Sequence, residues 1–236
     1  MTFLITYPEG KISNELRKKL LIADKVLYCP LRQLLPCSLK SEDKQLIKTS
    51  SAIGITSQFG LSVYTNQLLS LNTQAMFLLL SDKMRKKLIK KASNHLKIVV
   101  ARSENQQGFM ELIANLHLKS LTLLTGNIGA GNQLPKFVRK VQIYENKWSK
   151  ASERVVIEKL RSEKIHRILV TSPSAYQRLK KIEVQIPDSF DSPIYYTLGP
   201  TTAKLINGDH QTAVTPIQTD QVLKRSLLKM IQDQMG

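Results

Sequence analysis

The sequence predicts an α/β protein of two domains, each built on a five-stranded parallel sheet with helices on both faces. Three observations carry this. Short apolar runs alternate with segments of helical period, the pattern of a βα repeat whose parallel strands are covered on both sides. Ten such runs occur, more than one compact open sheet usually holds. A strand that ends in Thr-Ser and opens a helix occurs twice, in IGITSQFG (53 to 60) and ILVTSPSA (168 to 175), half a chain apart. A duplicated five-stranded unit accounts for both the count and the echo.

Taken in order, the runs that read as strands are Phe3–Thr6, Val26–Leu31, Ala52–Thr56, Ala75–Leu80, Leu96–Ala101, Leu121–Thr125, Val141–Tyr144, Ile168–Thr171, Ile194–Leu198 and Thr212–Thr215. Helices fall between them. Ile12, Leu16 and Leu20 recur every fourth residue, as do Leu112 and Leu116, then Val156 and Leu160. Val222, Leu223, Leu227 and Met230 mark a last helix. PLRQLLPC (30 to 37) and QIYENKWS (142 to 149) read as extended segments after edge-like strands. If both cross between domains, residues 1–34 and 147–236 form one discontinuous domain and 35–146 an inserted one.

Composition bounds the function. A chain of 236 residues has room for two domains of about 100–120 residues each. Apolar content of 42% is that of a globular protein, not of a disordered chain or a coiled coil. Thr2 to Thr6 is too short for a signal peptide and runs into Tyr7-Pro8-Glu9-Gly10. No apolar run approaches the roughly 18 residues that span a bilayer. Cys29 and Cys37 lack metal or disulfide-framework spacing, and His95, His117, His166 and His210 are scattered singly. The expectation is a soluble, cytoplasmic protein without metal.

Charge is the loudest signal: 35 Lys and Arg against 18 Asp and Glu, a net of +17, a field that steers anions inward. The densest cluster, KMRKKLIKK (83 to 91), reads as a solvated helix face. Aromatics are only 6% and are not interleaved with the bases, which argues against a base-stacking platform. No helix-turn-helix, zinc-finger or RNP-type signature occurs, so a nucleic-acid partner is disfavoured.

Two glycine-bearing turns remain. IYYTLGPTTAKLINGD (194 to 209) reads as strand, tight turn and helix, an arrangement that presents backbone N–H groups to an anion. It has no Lys-Thr after a glycine loop, so it is not a P-loop. TGNIGAGN (125 to 132) reads as a loop between strand and helix. With Tyr176 and Lys180 it suggests a dehydrogenase. However, the glycine loop should follow the first strand, and the two motifs lie too close together, so an oxidoreductase is discounted.

TFLITYPEG, KVLYCPL, VQIYENKW, ILVTSPSAYQRL and LGPTTAKLINGD, in that order, resemble the strands, linker and turns of the uroporphyrinogen-III synthase family. The resemblance spans the chain, and its last two motifs are the specific ones. It implies two flavodoxin-like domains joined by a two-stranded linker. It also implies a cofactor-free, monomeric lyase of haem biosynthesis that acts on hydroxymethylbilane, with the upstream hydroxymethylbilane synthase as a possible partner and no membrane. In that reaction the bilane loses its hydroxyl, the fourth pyrrole ring is inverted through a spiro intermediate, and uroporphyrinogen III forms.

By the resemblance, Gly199, Thr201 and Thr202 bind carboxylate arms, and Thr202 also serves turnover. Either threonine has a second reading, as a helix N-cap. Thr171, Ser172 and Ser174 match the other turn, with the same second reading for Ser172. Ser57 is the echo of Ser172 in the inserted domain and is expected to bind substrate as well. Tyr144 matches a linker tyrosine whose hydroxyl assists departure of the substrate hydroxyl. Gly126 and Asn127 present N–H groups to a propionate. The chain departs from the family at Thr6-Tyr7-Pro8, where Thr-Arg-Pro is usual. It departs again at Ser81-Asp82-Lys83-Met84, where a Gly-x-x-Thr-Ala turn is usual. An inactive relative that binds an anionic tetrapyrrole, or a basic nucleic-acid binder, are the alternatives.

Overall fold

The computed structural model describes residues 2–92, 95–128, 134–218 and 221–235. In chain order the elements are β1 (Thr2–Ile5), α1 (Asn14–Ala23), β2 (Lys25–Tyr28), β3 (Gln33–Pro36), α2 (Ser41–Thr49), β4 (Ala52–Ile55), α3 (Gln58–Val63), β5 (Met76–Leu79), α4 (Asp82–Lys91), β6 (Ile98–Val100) and α5 (Gln106–Asn115). There follow β7 (Leu121–Gly126), β8 (Val138–Lys147), α6 (Lys150–Leu160), β9 (Ile165–Val170), α7 (Pro173–Gln185), β10 (Phe190–Thr197), α8 (Pro200–Gly208), β11 (Ala213–Val214) and α9 (Val222–Met235). The chain divides into two compact units, Met1–Arg32 with Trp148–Gly236, and Gln33–Lys147.

The first unit holds a five-stranded, wholly parallel sheet in the order β11-β10-β9-β1-β2. The two-residue period of β1 sorts its side chains between two layers. Phe3 and Ile5 pack with Leu16 and Leu20 of α1 and Leu227 and Met230 of α9. Leu4 packs with Leu160 of α6 and Tyr176, Leu179 and Ile182 of α7 on the other face.

The second unit holds six strands in the order β3-β8-β7-β4-β5-β6. Ile53 and Ile55 of β4 face α2, α3 and α4 through Ile47, Leu61 and Leu88. Ala52 lies on the opposite face with Phe109 and Ile113 of α5. Gly54 shares that strand, and a Cβ there would lie 2.9 Å from the Phe109 ring, so glycine lets α5 settle onto the sheet.

Two points differ from expectation. The second sheet has a sixth strand, because the two extended segments pair with each other. β8 is ten residues long, pairing parallel with β7 through its first part and antiparallel with β3 through its last. In addition, no helix follows TGNIGAGN among the described residues.

Four tyrosines are fully buried: Tyr64, Tyr176, Tyr195 and Tyr196. The Tyr195 hydroxyl donates to Glu183 Oε1 at 2.7 Å and that of Tyr196 to Asp233 Oδ2 at 2.9 Å. Burial, reinforced by the bond to Asp233, pushes the Tyr196 hydroxyl up from 10.0 to about 12. The folded state thus favours the protonated phenol. Its contribution is complete below pH 10 and is lost as pH rises through 12. The thermal midpoint followed by circular dichroism is therefore expected to fall across that window. Tyr196→Phe should make the fall shallower, and an unchanged slope would refute the assignment.

Candidate functional site

Parallel strands end together, so the turns that follow them share one edge of each sheet. In the first unit, Ile5 of β1 pairs with Leu169 of β9, and Val170 of β9 with Thr197 of β10. Thr171, Ser172 and Ser174 are thereby brought to the same edge as Gly199, Thr201 and Thr202. Thr171 is bound to the end of β1: its N–H donates to Thr6 Oγ1 at 3.3 Å and its hydroxyl to Thr6 O at 3.4 Å. The Thr6 hydroxyl donates to Leu169 O at 2.9 Å. Thr6 was not read from the sequence as a site residue, although it directly follows β1 as Thr171 directly follows β9.

Ser172 is the N-cap of α7 and accepts from Ala175 N at 3.2 Å, with its Oγ 3.2 Å from that of Ser174. Ser57 caps α3 in the same way, accepting from Gly60 N at 2.9 Å. The echo between the two halves is thus an echo of caps. Side chains of Ser13, Ser81, Asn105 and Ser149 likewise cap α1, α4, α5 and α6.

Helix α8 is different. Its N-cap is Gly199, and no side chain caps it. Pro200 occupies the first position, where a missing N–H costs nothing. Thr201 and Thr202 stand second and third, so neither is the cap, and their N–H groups have no carbonyl within the helix to bond. Gly199 is extended (φ −176°, ψ 169°), a conformation any residue adopts, and a Cβ on it would meet nothing within 4 Å. Neither backbone nor packing requires glycine there. The result is open ground in front of uncapped donors. Thr202 is buried at 6% exposure, Thr201 is exposed, and neither hydroxyl is hydrogen-bonded among the described residues. The preceding strand end is fixed by Thr197 Oγ1, 2.7 Å from Thr215 Oγ1, and by Ser226, which donates to Thr197 O at 2.8 Å.

In the second unit, Gly126 lies against the Tyr144 ring, and Gly60 stands between that ring and Ser57. The ring stands edge-on to Phe59, with centroids 5.2 Å apart. It lies against Gly60 and over Gly126. Phe59 and Gly60 carried no signal in sequence. Asn127 Oδ1 accepts from Asn146 N at 2.7 Å, so that side chain secures β8. The rest of the glycine loop, residues 129–132, lies outside the described residues.

The basic cluster forms α4. Asp82 pairs with Arg85 at 2.7 Å and Lys86 at 3.3 Å, and Lys87 Nζ donates to Ser62 Oγ of α3 at 2.6 Å. Lys83, Lys90 and Lys91 are exposed. Cavities of about 340 and 560 Å³ in the first unit and 200 and 470 Å³ in the second are lined by residues other than the sequence-predicted ones. Among the described residues no group of three or more His, Cys, Asp or Glu is placed to hold a metal. No helix among them is long and apolar enough to cross a membrane.

No protein-family model matches the sequence, and no curated protein matches it. Solved structures do. Uroporphyrinogen-III synthetase from Helicobacter pylori aligns at a TM-score of 0.58 and 14% identity, covering 98% of both chains. A mutant uroporphyrinogen III synthase from Thermus thermophilus aligns at 0.57 and 11%, covering 97% of this chain and 99% of that one. Essentially from end to end, the chain has the two-domain fold of the uroporphyrinogen-III synthases.

Proposed function

We propose that the protein is a uroporphyrinogen-III synthase, closing linear hydroxymethylbilane to uroporphyrinogen III with inversion of the fourth pyrrole ring. The observation that carries the reading is the full-length likeness in fold to two synthases. The chemistry of the turns supports it. The bilane is a polycarboxylate, and the uncapped start of α8 offers neutral N–H donors and the Thr202 hydroxyl to such an arm. Neutral donors at a helix N-terminus suit a carboxylate at low desolvation cost. The net charge of +17 favours capture of the same anion.

In this reading Ser174 and the start of α7 hold a second arm, and the Tyr144 hydroxyl donates to the departing hydroxyl. The bilane supplies its own electron-rich pyrroles, and left alone it closes without inversion. The protein's task is therefore discrimination. A hundredfold preference for inversion requires only about 2.7 kcal/mol between competing barriers, within reach of positioning and of electrostatic stabilisation of a cationic intermediate.

The test is direct. Bilane freshly generated by its upstream enzyme is added to the protein, and the oxidised isomers are separated by chromatography. An excess of the type III ring over a protein-free control is expected. Type I product alone, with tight binding of the porphyrinogen, would identify an inactive relative.

A further inference from the structure

We propose that Gly126 is a positioning residue: by lacking a side chain it seats the Tyr144 ring and so aims its hydroxyl. The inference rests on the synthase reading for what that hydroxyl does, but its geometry stands by itself. Strands β7 and β8 pair Thr125 with Gln142 and then Gly126 with Tyr144, so Ile143 is passed over in a bulge. A bulge re-aims the side chain that follows it. Here Ile143 stays fully buried in the core while Tyr144 comes to stand beside Gly126.

The contact is closer than any side chain would permit. A Cβ on Gly126 would lie 2.4 Å from Tyr144 Cε2, 2.6 Å from Cζ and 3.0 Å from Cδ2. The opposite edge of the ring meets Gly60, whose Cβ would lie 3.4 Å from Cε1. Phe59 completes the seat with an edge-on contact at 76°. Gly126 does not have the positive φ that would itself call for glycine, so its requirement is steric. The ring is thus held on three sides, while its hydroxyl has no hydrogen-bond partner among the described residues.

This differs from the expectation that Gly126 offers its N–H to a propionate. The two roles separate cleanly, because Gly126→Ala keeps the N–H and displaces the ring. The experiment combines Gly126→Ala, Tyr144→Phe and their double variant with two readouts: turnover of enzymatically generated bilane, and the ring resonances of ¹³C-labelled tyrosine. Gly126→Ala is expected to shift the Tyr144 resonances and to lower kcat by roughly 10–100-fold with little change in KM, the effect of a small misplacement. In the Tyr144→Phe background it should lower kcat little further. If Gly126→Ala alone does not fold, combining it with Tyr144→Ala must restore folding, since the clashing ring is gone.

Unmoved resonances, a moved ring with full kcat, fully additive losses, or a double alanine variant that stays unfolded would each overturn the proposal. A wild type that makes no type III product would sink the synthase reading, and this role with it. An active wild type alongside a fully active Gly126→Ala would sink the positioning role alone.

Discussion

Asn72→Ala is expected to lower the unfolding free energy by about 3–5 kcal/mol, among the largest losses available to a single polar residue. Asn72 is 8% exposed. Its amide donates to the carbonyls of Ile47 at 2.9 Å, Lys48 at 3.2 Å and Ser50 at 2.8 Å, closing the end of α2. Its Oδ1 accepts from Gln74 N at 2.9 Å and Ala75 N at 3.0 Å, opening the way into β5. Alanine would remove all five bonds at once, leaving the Ala75 N–H, buried in the fold, without its partner, while Ile47 O keeps only the 3.3 Å bond from Ser50 N. Asn72→Asp keeps the shape but turns a carboxylate towards three carbonyls, and should be no better. Urea unfolding monitored by circular dichroism measures both, and a loss below about 1 kcal/mol for Asn72→Ala would mean that water replaces the side chain.

Thr202→Val should show the opposite profile, with turnover reduced and stability nearly intact. Valine preserves the volume and branching of a residue that is 6% exposed, and Thr202 is not the cap of α8. Loss of one hydrogen bond to a charged arm is worth about 1.5–3 kcal/mol, or roughly 10–150-fold in kcat/KM. A rising share of type I product should accompany the loss. Unchanged turnover would remove the Thr202 hydroxyl from the site, and a stability loss above about 1 kcal/mol would assign it a structural role instead.

What was legible in the sequence follows from where each constraint lies. Buried parallel strands must be apolar along their length, so all ten strand readings coincide with observed strands, even β11 with its two residues. Strand β3 is Gln33-Leu34-Leu35-Pro36, with no such run, and becomes a strand only because the far end of β8 lies beside it. The Ser172 cap was legible because a cap bonds three residues ahead, within the same short motif. At α8 the Gly-Pro pair was visible too, yet the threonines beside it obscured that glycine itself stands at the cap. Asn72 looks like any loop asparagine, since its carbonyl partners lie more than twenty residues earlier. The seat of Tyr144 depends on a bulge and on Phe59, both products of tertiary pairing.

The order of the first sheet also sets a timetable for synthesis. Strand β1 lies between β2 and β9, and β9 begins at Ile165, with the whole of Gln33–Lys147 made in between. At about 5–20 residues per second, the first strands wait roughly 7–30 s for their neighbour. During that interval Phe3, Leu4 and Ile5, wholly buried in the end, have only β2 and α1 to pack against. The intervening unit is continuous in sequence and can close as it emerges. The nascent chain then carries a folded middle behind an apolar strand still waiting for its partner, surface that a chaperone can cover in the meantime.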